Sequence, residues 1–342
     1  MTGCPPPPDR HLLGRWSLRA LLLVLAGVVA GGVALFAARG RDRTPAKLDE
    51  AFVYDVERYR VIPGEMIGYR ETARFATGLS KATAVAVGPD GRIAAGGDER
   101  VLVFSREGSP EATIPVPGTV FALSASPRGD LLVATSDRIG SCPWREPLAF
   151  FAAVPGDRAR VTSIAADADS VYAADVGARH VWRFGFDGHP LGRIGDRDPA
   201  RHVPGFSVPS PYFDLCVAPD GLLRVVDPGR HHIDAFTPAG DLEFSWGKTS
   251  YGIEGFSGCC NPSHIALLPD GSFVTSEKGI PRVKVHGADG SFVTAVVGCD
   301  GLDTRIEPCD VAADRDGRVI LLDPGSATIR VFEARKEGER GD

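Results

Sequence analysis

No Cys-x-x-Cys pair occurs among the seven cysteines of this 342-residue chain, and no Cys-x-x-Cys-His. The first absence removes the common zinc-motif spacings, and the second removes covalent haem attachment. A phosphate-cradling Gly-rich loop and a Gly-x-Ser-x-Gly nucleophile turn are missing too. Charge of one sign is scarce: 38 Lys and Arg stand against 44 Asp and Glu, a formal net charge of −6. With no basic stripe and no interleaving of aromatic and basic residues, the sequence gives no support for nucleic-acid binding. The rest is ordinary for a globular protein, 43% apolar and 24% charged, and long enough for a sizeable core.

One long apolar run is present. Ala20 to Ala38 is 19 residues without a polar side chain, and a helix rising about 1.5 Å per residue would just cross a hydrocarbon core of roughly 30 Å. A cleaved signal peptide would need small residues at its cleavage site, where Leu35-Phe-Ala37 and Phe36-Ala-Ala38 place bulky ones. A lipoprotein signal needs its cysteine after the run, and Cys4 precedes it. The expectation is therefore a short arm over 1–17, a single-pass transmembrane helix over 18–38, a polar linker over 39–65 and a charged tail over 336–342. Arg15 and Arg19 before the run nearly balance Arg39, Arg41 and Arg43 after it, so the positive-inside rule decides little. The shortness of the arm favours a signal anchor at the cell membrane, with the remainder outside the cytoplasm.

From about residue 66 to 335 the chain repeats itself. Each unit has an apolar run, a turn closed by Gly91, Gly129, Gly221, Gly271 or Gly317, a second run, an acidic second turn, a third run, a third turn such as Asp289-Gly290 and a fourth run; a degenerate copy centres on Ser170. Six copies spaced 38 to 51 residues apart mark a repeat architecture. Short β-rich runs joined by Gly turns describe a four-stranded antiparallel meander. The acidic residue is Asp98, Asp175, Asp227, Glu277 or Asp323, and its expected role is to accept hydrogen bonds from its own turn. In blade 2 the second turn is read as replaced by an insertion, Arg138 to Pro147. The run Ile67 to Phe75 lies where an outermost strand should be, and the last copy has only three strands. The amino-terminal strand is therefore expected to complete the last blade and close the ring.

The Gly turn, the acidic residue and strands such as His232-Ile-Asp-Ala-Phe236 and Ile329-Arg-Val-Phe332 resemble the NHL-repeat family of six-bladed β-propellers. No Trp-Asp dipeptide is present, which sets the chain apart from the WD40 class. The loop Cys259-Cys260-Asn261-Pro262 is similar to one in a bacterial, membrane-anchored branch of such propellers. The resemblance implies an all-β six-bladed propeller of four-stranded antiparallel blades, here preceded by one transmembrane helix.

Propeller topology assigns loops to faces. The long connections 195–212, 247–263 and 298–309, with the blade 2 insertion, fall on one face carrying His202, Cys142, Cys259, Cys260, Cys299 and Cys309. Seven residues before each turn anchor stand Ala84, Ala122, Ser163, Asp214, His264 and Asp310, at the channel mouth on that face. Asp214, His264 and Asp310, with Cys259 and Cys260 above them, form a candidate set for a transition metal or an acid/base pair. The alternative is that the inner-strand polar groups bind backbone or buried water. Cys299 and Cys309 flank one short connection and are the leading candidates for a disulfide. Adjacent Cys259 and Cys260 are expected to point apart in an extended chain. His231 and His232 read as structural and His202 as solvated. The leading functional expectation is a binding scaffold that presents this face to a protein or small-molecule ligand. A cell-envelope metal or redox protein is the second, and a metal-dependent hydrolase or lyase, with calcium or zinc deep in the channel, is the third.

Overall fold

The turn glycines take the backbone conformation that made them necessary. Gly91, Gly221, Gly271 and Gly317 have φ of 85°, 79°, 86° and 79°, a region open to glycine at little steric cost. Between these turns the chain builds six four-stranded antiparallel sheets. The innermost strands are Ala82–Val87, Ala122–Ala125, Val161–Ala166, Leu215–Val217, His264–Leu267 and Asp310–Ala313. The second strand of every blade, for example Ile93–Gly97 or Val319–Asp323, is buried along its whole length, as a strand covered on both faces must be. Outermost strands such as Pro190–Ile194 are largely exposed.

In the last sheet the order is Tyr69–Ala76, Thr328–Ala334, Val319–Asp323, Asp310–Ala313, and register runs from Tyr69 opposite Ala334 to Ala76 opposite Thr328. The amino-terminal strand closes the ring, as its position in the repeat required. Apolar clusters straddle neighbouring blades. Ile93 and Phe104 of blade 1, for example, pack with Ile320, Ile329 and Val331 of blade 6. Burying one such side chain is worth about 1.5–3 kcal/mol, so each seam holds two blades together.

The acidic residue of the second turn does more than brace its own bend. Asp175 Oδ1 accepts from Gly177 N within the turn and from Arg160 N in the incoming loop, both at 2.9 Å. Asp227, Glu277 and Asp323 likewise accept from Ser207 N, Ser257 N and Asp303 N. Each carboxylate fastens the loop entering its own blade. Glu277 also meets Arg282 at 2.9 Å and Lys284 at 2.8 Å, in a network whose side chains are at most 1% exposed.

The computed structural model describes residue 3 and residues 18–41, 56–303 and 307–336. The chain divides into two units, 1–55 and 56–342. In the first, a helix covers Leu18–Arg41 and includes the apolar run, while most of the expected arm lies outside the described residues. Among the described residues no helix is long and apolar enough to cross a membrane; the side chains at 33–41 lie outside them. Of the expected linker, 42–55 is likewise outside, and Glu57–Tyr59 forms a short 3-10 turn. The tail from 337 on is also outside.

One sequence expectation is corrected in blade 2. Arg138–Cys142 is the third strand, paired with Leu131–Ala134, and not an inserted loop. The turn is simply shorter, at Ser136-Asp137, because Thr135 N donates to Arg138 O.

Candidate functional site

The six inner strands surround a central cavity of about 280 Å³. Above it lies a second pocket of about 310 Å³, lined by Lys81, Phe121, Arg160, Tyr212, Glu307 and Pro324 among others. Thr83, Phe121, Thr162, His264 and Asp310 border both, so they form the constriction between mouth and channel.

Three residues from consecutive blades meet at this constriction. His264 Nδ1 is 3.3 Å from Asp214 Oδ2 and 3.3 Å from Asp310 Oδ1. Each carboxylate is also tied to backbone. Asp214 Oδ1 accepts from Leu215 N at 2.8 Å, and Oδ2 accepts from Ile265 N of the next blade at 2.9 Å. Asp310 accepts from Val311 N at 2.9 Å and, across the closing seam, from Val85 N at 2.7 Å. Ser163 occupies the same position in blade 3 and its Oγ accepts from Leu215 N at 3.2 Å. A polar side chain seven residues before the turn is thus a clip between blades, and two of the clips carry charge.

That charge sets the protonation of the site. Burial would lower the pKa of His264, but its hydrogen bond with Asp214 and the negative charges of Asp310 and Asp214 outweigh it, and the imidazole is held above its usual value. Burial raises Asp310, with Asp214 adding and His264 opposing, to about 6. With Nδ1 turned to the carboxylates, Nε2 is the nitrogen left for other work, the arrangement in which a carboxylate orients an imidazole as base or acid. Tyr212 meets the His264 ring edge-on at a centroid separation of 5.6 Å.

The same three residues are, among the described residues, the one group whose donor atoms stand within 4.8 Å of one another. One nitrogen and two carboxylate oxygens suit a borderline or hard divalent cation. However, every carboxylate oxygen here already accepts a backbone N–H, and the imidazole nitrogen is engaged by both acids. The set fits a shared proton without rearrangement, whereas a cation would have to displace that proton.

Thr83 and Thr162 were not singled out by the repeat. In both blades the register skips one residue, between Ala82 and Ala84 and between Val161 and Ser163. Such a bulge re-aims the extra side chain, and here it lines the constriction. Thr162 Oγ1 donates to Phe213 O at 2.7 Å, and Thr83 Oγ1 to Val120 O.

The cysteines divide differently from the sequence expectation. Cys259 is exposed, Cys299 is half-buried, and Cys142, Cys260 and Cys309 are buried. Cys142 sits against Trp144 within a blade-to-blade core, not on the loop face. Cys299 and Cys309 are free thiols rather than a bridged pair. Cys309 is packed among Ala266, Val311 and Phe332, whereas Cys299 opens a 3-10 turn near the cations of Arg60 and Arg282. Cys259 and Cys260 do not join the Asp214, His264 and Asp310 group; instead their Sγ atoms lie 3.2 Å apart. The chain bends at Gly258, φ 77°, so it is not extended there and the two side chains are brought together. His231 is buried in a positive-φ bend, φ 61°, His232 begins a strand, and His202 is exposed.

No protein-family model matches the chain, and no curated protein matches it. Its similarity is to solved folds. A catalytically inactive virginiamycin B lyase from Staphylococcus aureus, with quinupristin, aligns at TM-score 0.55 and 12% identity, covering 75% of this chain and 82% of that one. The WD40 β-propeller domain of Doa1 aligns at 0.53 and 13%, covering 79% and 98%. A Bacteroides thetaiotaomicron protein of unknown function aligns at 0.57 and 13%, covering 80% and 74%. At these identities the likeness is one of fold: this is a six-bladed β-propeller. The NHL-type signature remains a resemblance in the repeat.

Proposed function

We propose that this protein is a membrane-anchored binding propeller that takes a small ligand into the mouth pocket of its loop-rich face, against His264. The observation that carries the reading is the mouth pocket itself. It is about 310 Å³, walled by Phe121, Tyr212 and several prolines, with Lys81 and Arg160 at its rim and His264 and Asp310 at its floor. A concavity that combines aromatic and proline walls with convergent polar groups and a perturbed imidazole suits a small-molecule site. Lys81, Arg160 and an imidazole biased toward its charged form share the lining with the carboxylates of Glu307 and Asp310, and the reading assigns the cations to an anionic group on an aromatic or apolar ligand. The NHL-type repeat and the apolar run 20–38 support an anchored, extracytoplasmic scaffold.

The test is calorimetric titration of the full-length protein in detergent with phenyl phosphate and a set of aromatic monocarboxylates. Binding should weaken about tenfold or more in Arg160→Gln, the scale of a lost charge-assisted hydrogen bond. No heat from any of these ligands, or equal affinity in the variant, would overturn the reading.

A second reading is favoured by the imidazole held between two carboxylates. His264 would act through Nε2 as the acid/base group of a lyase or hydrolase, a role consistent with the fold shared with virginiamycin B lyase. If a metal takes part, Asp214, His264 and Asp310 are the residues that would hold it, supplying Lewis acidity at the constriction. In this reading His264→Ala abolishes turnover while ligand affinity survives.

A further inference from the structure

The loop entering blade 5 places a second reactive group beside the mouth pocket. Cys259 and Cys260 have their Sγ atoms 3.2 Å apart, about 1.1 Å more than a covalent S–S bond. Cys259 is exposed and Cys260 is 4% exposed, so one sulfur meets solvent and the other stands behind it. The pair is held by Asn261, whose Nδ2 donates to Ser257 O at 2.7 Å and to Lys278 O at 2.9 Å, while its Oδ1 accepts from Lys278 N at 2.9 Å. This staple fixes the Cys loop to the turn that carries Lys278. Among the described residues no third ligand joins the two sulfurs, so a tetrahedral zinc site, which needs three or four protein ligands, does not fit.

We propose that Cys259 and Cys260 are a thiol–disulfide exchange site, closing to a reversible vicinal disulfide by reaction with a small disulfide of the glutathione type. The reaction balances within the pair. Cys259 attacks one sulfur of the incoming disulfide as its proton passes to the Cys260 thiolate, and the first thiolate leaves. Cys260 returns the proton to that leaving group and attacks Cys259 Sγ, expelling the second thiolate, which takes a proton from solvent. Two cysteines are oxidised by two electrons, and one disulfide is reduced to two thiols.

The surroundings suit these roles. Burial alone would raise Cys260, but the neighbouring Lys278 ammonium and its contact with Cys259 outweigh it and hold the thiol below its usual value. Cys259 is held above its usual value by its bond to Cys260 and by that neighbour's charge. The attacking group is therefore a thiol with its base 3.2 Å away. Closure also alters the mouth pocket. Lys278 Nζ lies 4.9 Å from the centre of the Tyr212 ring, and Tyr212 packs on His264. Closure replaces the ionisable Cys260 thiol with a neutral disulfide, so it changes the group beside the Lys278 ammonium that faces Tyr212 and His264. The exchange reaction itself does not depend on the ligand proposed above.

The experiment uses the full-length reduced protein in detergent, exposed to oxidised glutathione without denaturant, then alkylated and mapped by mass spectrometry. The expected product is an intramolecular Cys259–Cys260 bond reversed by dithiothreitol. The variant Cys260→Ser should instead trap a stable glutathione adduct on Cys259. Lys278→Gln should slow closure about tenfold, because less Cys260 is then thiolate. The proposal is overturned if the wild-type pair remains reduced, if it stops at the mixed disulfide, or if Cys259 or Cys260 bonds to another cysteine instead. The mapping on wild-type protein decides the matter even if a variant fails to fold.

Discussion

Asp214 both clips two blades together and supplies charge to His264, and two substitutions separate these roles. In Asp214→Ala the carboxylate is lost from Leu215 N and Ile265 N. Leu215 N keeps a second acceptor, Ser163 Oγ at 3.2 Å, so one buried donor, Ile265 N, is left without a partner. An orphaned buried N–H costs about 1–3 kcal/mol, and that is the expected loss. Asp214→Ser puts at this position the residue that already clips blade 3 to blade 4 through Ser163, so it should cost less than about 1 kcal/mol. Both changes remove one of the two acids beside His264 and should move its pKa downward, because a neighbouring negative charge favours the imidazolium. Urea denaturation followed by tryptophan fluorescence gives the first quantity and the His264 ring proton shift by NMR gives the second. Equal destabilisation by the Ala and Ser variants would refute the clip argument. An unmoved His264 titration would refute the electrostatic one.

Glu277 and Asp310 carry two further outcomes. Glu277→Gln leaves the buried cations of Arg282 and Lys284 without their counter-charge and should cost about 3–5 kcal/mol, read as a drop in the urea midpoint; a loss under about 1 kcal/mol would mean that water reaches the network. Asp310 has a folded pKa of about 6, against about 3.9 in an unfolded chain. The folded state therefore binds the proton more tightly, and stability from this group is present below about pH 4 and lost as pH rises to about 6. His264, also raised, contributes stability that is lost as pH climbs through its folded pKa. The difference in unfolding free energy between wild type and Asp310→Ser, read by urea denaturation, should thus shift in favour of the variant across pH 4–6 by about 1–3 kcal/mol; a flat difference would show that Asp310 is not perturbed.

The six-fold repeat, the Gly turns and the closing strand Tyr69–Ala76 were legible in the sequence, because turn chemistry and strand period are local properties. The meeting of Asp214, His264 and Asp310 was legible too, since a repeat places equivalent positions of consecutive blades around one axis. Other features depended on contacts between residues distant in sequence or on small departures from the repeat. The acidic turn residues bind the loops that enter their blades, some 15 to 20 residues earlier, and no local pattern records that reach. Two single-residue bulges bring Thr83 and Thr162 to the constriction. A bend at Gly258 turns neighbouring cysteines toward each other, while packing buries Cys142 and Cys309 away from the surface they were expected to share. Periodicity determined which blade and which end of a strand each residue occupies. Side-chain direction at bulges and bends, where the two-residue alternation fails, was decided only by the packed ring.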